Sequence, residues 1–127
     1  MASLTPEGQD IFGAKYDPAD ELWLRVFFTT SERSQAAGRK YLERQRARKE
    51  NRDPLANEKV APAQTAALEK WGAPAKEPYA YLKNIAQPAL VVNGSNDVIV
   101  YTVNSFILQQ NLPNAQLILY PDSNHGA

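Results

Sequence analysis

The sequence predicts an α/β chain, with a mostly helical region over residues 1–76 and a βαβ unit over residues 77–127. Three observations carry this expectation. The composition changes near residue 77, from polar, charged and Ala-rich to branched apolar residues broken by turn formers. Two short apolar runs, Ala89 to Val92 and Leu117 to Tyr120, have the length of buried strands, and the first is bounded by Pro88 and Gly94. Between them, "VNSFILQQNLPNA" places Val103, Phe106, Ile107 and Gln110 at helical spacing, with Thr102 as a candidate cap and Pro113 as a stop. A strand, a helix and a second strand in so short a span form a βαβ unit, whose strands run parallel through a right-handed crossover.

The first region reads as three elements. "DPADELWLRVFF" puts Trp23, Leu24, Val26, Phe27 and Phe28 behind an acidic start. Asp20 could cap a short helix there, and the β-branched and aromatic content fits a strand equally well. A helix follows over about 31–50. Thr29 and Glu32 have capping-box spacing, Thr30 and Ser31 are alternative caps, and Ala36, Ala37, Tyr41 and Leu42 form a narrow apolar stripe. "RDP" at Arg52 to Pro54 ends it. A third helix is expected over about 62–71, with Pro62 in its first turn, Trp71 packed at its end, and Gly72 and Pro74 as stops.

Composition narrows the function classes. With no cysteine there is no disulfide, thiolate metal site or cysteine nucleophile. One histidine and scattered carboxylates show no metal-ligand spacing, and no cofactor is expected. Lys plus Arg equals Asp plus Glu at 14 each, which speaks against a dedicated nucleic-acid or membrane-surface protein. Seven of the 14 basic residues lie between Arg39 and Arg52, but they fall all around the helix, as on a solvated face. No run approaches the ~20 apolar residues of a membrane span. "MASLTPEGQD" has neither the charged nor the apolar part of a secretory leader. A cytoplasmic location is the expectation.

The chemistry gathers at two loops. Ligand and catalytic groups of parallel sheets lie just beyond the carboxyl ends of the strands. Asp97 follows the first strand and His125 the second, 28 positions apart in sequence. Neighbouring parallel strands stand ~4.8 Å apart, so the carboxylate and the imidazole can meet. Taken singly, Asp97 in the turn-prone "GSND" reads as a loop residue bonding its own amides, and His125 as a surface residue. Taken together they read as a pair in which the carboxylate orients the imidazole and stabilises its protonated form. Asn96 and Asn124 beside them read as turn formers.

Here a resemblance becomes specific. "IAQPALVVNGSNDVIVYTVNSFILQQNLPNAQLILYPDSNHGA" resembles the C-terminal stretch of an α/β-hydrolase. Gly94 and Asp97 match the Gly-x-x-Asp that follows a Pro-led strand in that family, and His125 with Gly126 matches its His-Gly loop. Tyr101 stands where the family often has proline. The resemblance implies a partial α/β-hydrolase fold in which Asp97 is the triad acid and His125 the base. Residues 9–75 are similar in character and position to the helical cap that such enzymes insert over the active site. Trp23, Phe27 and Phe28 would then line a substrate pocket, or else form cap core or a contact with the rest of the fold.

The family's nucleophile elbow, G-x-S-x-G, is not in this sequence, and no two of the six glycines flank a serine at that spacing. The resemblance therefore implies the C-terminal portion of a serine hydrolase, inactive alone, that acts on a small-molecule ester, amide or related bond once complete. A two-stranded unit also leaves sheet edges exposed. A homo-oligomer, or pairing with the missing N-terminal half, is the expected remedy. The alternative is a non-catalytic, self-associating remnant of the fold.

Overall fold

The computed structural model describes residues 5–54 and 56–126. Residues 1–4, part of the stretch searched for a leader, lie outside the described residues. Two helices precede the basic one. α1 (Pro6–Gly13) was not anticipated, although its start is written plainly. The Thr5 hydroxyl accepts from the Gly8 amide at 2.8 Å, Pro6 occupies the first helical position and Glu7 the first turn. The "DELWLRVF" segment resolves as α2 (Asp20–Phe27). Asp20 does not cap it. The N-cap is Ala19, and Asp20 and Glu21 sit in the first turn, where negative charge suits the helix dipole.

α3 (Glu32–Ala47) is capped by Ser31, whose hydroxyl accepts from the Ser34 amide, so Thr29 is not the cap. Its buried stripe is Ser34, Gly38 and Leu42 rather than the anticipated Ala36, Ala37, Tyr41 and Leu42; Ala36 and Ala37 face solvent and Tyr41 is half-buried. The reason is close helix packing. A β-carbon on Gly38 would stand 2.5 Å from Leu24 Cδ2 and 2.8 Å from the Phe28 ring, so any larger residue there would force those side chains to shift. The basic residues of α3 are exposed, and Arg46 pairs with Asp20.

α4 (Val60–Trp71) ends at Gly72, as expected. Trp71 does not pack at its end; it is 74% exposed, and no residue of α4 is buried. Among the described residues the helix touches no other helix or strand. A short 3₁₀ turn (Ala80–Asn84) follows and buries Leu82.

The predicted βαβ unit is present as β1 (Ala89–Gly94), α5 (Thr102–Asn111) and β2 (Ala115–Tyr120). The strands are parallel, with Ala89 opposite Ala115, Val92 opposite Ile118 and Gly94 opposite Tyr120. Thr102 is the first helical residue and not the cap; its hydroxyl donates to the Gly94 carbonyl at 2.8 Å and ties the start of α5 to the end of β1. α5 lies on the sheet face that carries Val91 and Asn93, where the Asn93 amide nitrogen donates to Ser105 Oγ at 3.0 Å. The opposite face, with Leu90, Val92, Ile118 and Tyr120, is uncovered.

The main apolar core lies elsewhere. Ile11 of α1, Val26 of α2 and Ile99 of the loop after β1 meet, with Leu22, Phe27 and Val98 packed around them. The helical region thus closes directly over the loop beyond the sheet. No described helix is long and apolar enough to cross a membrane.

Candidate active site

The two loops beyond β1 and β2 are zipped together by the backbone. The Ser95 amide donates to the Tyr120 carbonyl at 2.9 Å, and the Asn96 amide to the Ser123 carbonyl at 3.0 Å. A β-carbon on Gly94 would collide with the carbonyl oxygens of Ser123 and Asn124, so the His loop can cross the end of β1 only because that residue is glycine.

Across this junction His125 Nδ1 lies 3.0 Å from Asp97 Oδ2. The other oxygen, Oδ1, accepts from the amides of Ile99 and Val100, both at 2.9 Å. The loop-capping role and the pairing role of Asp97 are therefore simultaneous, one oxygen to each. Only 2% of the Asp97 side chain is exposed, against 37% of the His125 side chain. A carboxylate can only accept, so the bond puts the proton of a neutral imidazole on Nδ1 and the lone pair on Nε2. Among the described residues Nε2 has no partner, and it is the nitrogen from which a general base would act.

The helical region holds the imidazole from the other side. The His125 amide donates to the Val26 carbonyl and the Gly126 amide to the Phe27 carbonyl, both at 3.3 Å. The Phe27 ring stacks on His125 with centroids 6.0 Å apart and 18° between planes, and Trp23 stacks on Phe27 at 5.4 Å and 6°. Of the three aromatic residues singled out in the sequence, Trp23 and Phe27 thus join His125 in one stack. Phe28 turns away and tilts against Tyr41 at 6.1 Å. Two shallow hollows flank Phe28, and neither is lined by Asp97, His125, Trp23 or Phe27. Among the described residues no group of three or more His, Cys, Asp or Glu side chains could hold a metal ion.

Two further residues belong to this junction. Asn124 is 4% exposed and bonds through its side chain to three separate segments, so it is no simple turn former. Asp122 takes a left-handed φ of 52° and accepts hydrogen bonds from the hydroxyls of Thr29 and Ser31, with Ser31 Oγ at 2.7 Å. Those bonds hold its carboxyl below the usual aspartate range. The Asp-Ser-Asn sequence signals only a turn; no local pattern announces partners about 90 residues away.

No family model matches the chain. An α/β hydrolase fold protein from Chitinophaga pinensis superimposes over 92% of this chain with a TM-score of 0.78 and 37% sequence identity. The chain carries part of an α/β-hydrolase fold. It covers 41% of that structure, so more than half of the neighbour's fold has no counterpart here. A pimeloyl-[acyl-carrier protein] methyl ester esterase from Nitrosomonas europaea is 41% identical over 47 residues, which are 37% of this chain and 19% of that esterase. In this partial hydrolase fold Asp97 and His125 stand beyond the ends of adjacent parallel strands, and the helical region reaches them through α2.

Proposed function

We propose that the chain is the C-terminal portion of a serine hydrolase, with Asp97 as the acid and His125 as the base of a Ser-His-Asp triad whose serine comes from a segment outside this sequence. The observation that carries the reading is the 3.0 Å bond from Nδ1 of a half-open imidazole to a buried carboxylate, with no partner for Nε2 among the described residues. Asp97 fixes the tautomer and orientation of the ring. His125 Nε2 takes the proton of the serine hydroxyl as it attacks the carbonyl, then returns it to the leaving group. Water attacks the acyl-serine by the same route. The region before residue 77 serves as a cap, and its Trp23–Phe27 stack forms an apolar wall beside the base, suited to a small-molecule substrate with an apolar acyl or alcohol group. An ester is the favoured bond, with an amide or related bond as the wider class; the protein that aligns with 47 residues of this chain at 41% identity is a methyl ester esterase.

The test is reconstitution. The coding frame upstream of the Met1 codon should encode G-x-S-x-G after an apolar strand. The chain alone should not turn over p-nitrophenyl acetate faster than its D97N/H125A double variant. Joined to the upstream segment it should hydrolyse the ester, and D97N should then lower kcat by about 10⁴-fold. An assembled protein whose kcat is indifferent to D97N sinks the assignment.

A second reading is a non-catalytic remnant that associates through its open sheet face. The run of Leu90, Val92, Ile118 and Tyr120 exposed on that face favours it. A stop codon and promoter directly before Met1 would support this reading over the first.

A further inference from the structure

We propose that Asn124 is the positioning residue of the Asp97–His125 pair, a role that rests on the functional reading above but is visible without any reaction. Its Oδ1 accepts from two amides, Val98 at 2.8 Å and His125 at 3.0 Å. Val98 follows Asp97 directly, so one buried oxygen ties the backbone beside the acid to the backbone of the base. Its Nδ2 donates to the Arg25 carbonyl at 3.1 Å and makes a longer contact of 3.5 Å to the Phe28 carbonyl. The amide's two acceptor sites and two donor hydrogens are therefore all used. Three segments far apart in sequence, the acid loop, the His loop and the end of α2, meet on this one side chain.

The ordinary reason for asparagine in a loop does not apply. Among the described non-glycine residues a left-handed φ occurs at Asn51 and Asp122, not at Asn124. What asparagine supplies here is a planar group that accepts on one side and donates on the other. No aliphatic side chain does this, and a carboxylate does only half of it.

His125 is the only histidine in the sequence, so its ring nitrogens can be followed by long-range ¹H–¹⁵N spectra of the 127-residue chain without ambiguity. In mildly alkaline buffer the wild-type ring should be mainly the Nδ1–H tautomer. In N124A the share of that tautomer should fall roughly twofold or more, as the ring is released from Asp97. N124D keeps the acceptor for both amides and should retain the wild-type tautomer. In the wild-type chain the Val98 and His125 amides should exchange slowly and together. N124A with an unchanged tautomer overturns the proposal, and so do Val98 and His125 amides that exchange as fast as open loop amides. Should N124A not fold, the N124D spectrum and the wild-type exchange rates decide the matter. Activity enters neither readout, so an assembled protein that hydrolyses no ester while this geometry holds would remove the hydrolase reading and leave Asn124 in place.

Discussion

The loops beyond the strands and the open face of the sheet are opposites. At the loops nearly every polar group is matched. Asp97 uses both oxygens, Asn124 bonds to three segments, and the His125 and Gly126 amides reach carbonyls of α2. On the sheet face Leu90 is 59% exposed and Val92, Ile118 and Tyr120 stand beside it. α5 repeats the pattern: Thr102, Ser105 and Gln109 bond toward the strands while Val103 and Phe106 face outward. The site is more finished than the core that should support it. Each Leu or Ile fully buried contributes about 1.5–3 kcal/mol, which the open face forgoes. Such a molecule orders its loops by hydrogen bonds between segments far apart in sequence and leaves apolar area exposed on its sheet.

The sharpest way to break the finished region is at Gly94. Gly94→Val pushes a branched side chain into the Ser123 and Asn124 carbonyls, backbone atoms that cannot step aside. Overpacking of this kind costs about 3 kcal/mol. Chemical denaturation should show at least that loss, together with loss of the His125–Asp97 bond in NMR spectra. The contrasting variant is Gly13→Ala at the end of α1, where nothing lies within 4 Å of a new β-carbon. It should be neutral or stabilising by about 0.5 kcal/mol. Equal effects at the two glycines would mean that the crossing of the loops is not tight.

The contrast between the two regions also explains what the sequence reveals. β1, α5 and β2 are legible because each is short, apolar at its own period and bounded by Pro88, Gly94 or Pro113. Asp97 and His125 are legible because parallel strands put their following loops side by side. α2 is not, because Trp, Val and Phe suit both a strand and a helix; tertiary contacts decide it, with Leu22 and Val26 on the core face and Trp23 stacked on Phe27 one turn on. Gly38 as the close-contact point of α3 needs Leu24 and Phe28 in view. The Asn124 clamp is the least legible. It joins residues 26 and 99 positions apart, and an isolated Asn in a short polar loop announces only a turn.

The open face can be tested at intermediate cost. We expect the chain to self-associate through the face of Leu90, Val92, Ile118 and Tyr120 when nothing else covers it. Leu90→Lys combined with Ile118→Lys should bring the light-scattering mass down to that of one chain, a twofold or greater change, while helix content by circular dichroism stays as in the wild type. A wild-type chain that is a folded monomer at micromolar concentration would remove this expectation.

The smallest effect concerns the latch between the regions. Asp122 accepts from the hydroxyls of Thr29 and Ser31 at the start of α3, and those bonds, first Thr29 and then Ser31, lower its pKa from the ordinary 3.8. A group whose folded pKa is depressed adds stability above its unfolded pKa and loses it as the pH falls through the folded value. The contribution of Asp122 should therefore be complete at neutral pH and disappear only below about pH 3.8. Because the carboxylate is fully exposed, the change is small and should be partly screened by salt. Asp122→Asn tolerates the same left-handed backbone and keeps one acceptor. Its stability should differ slightly from wild type at neutral pH, and the two curves should converge in acid. A difference that does not shrink as the carboxyl is protonated in acid would show that the charge of Asp122 plays no part in holding the His loop to α3.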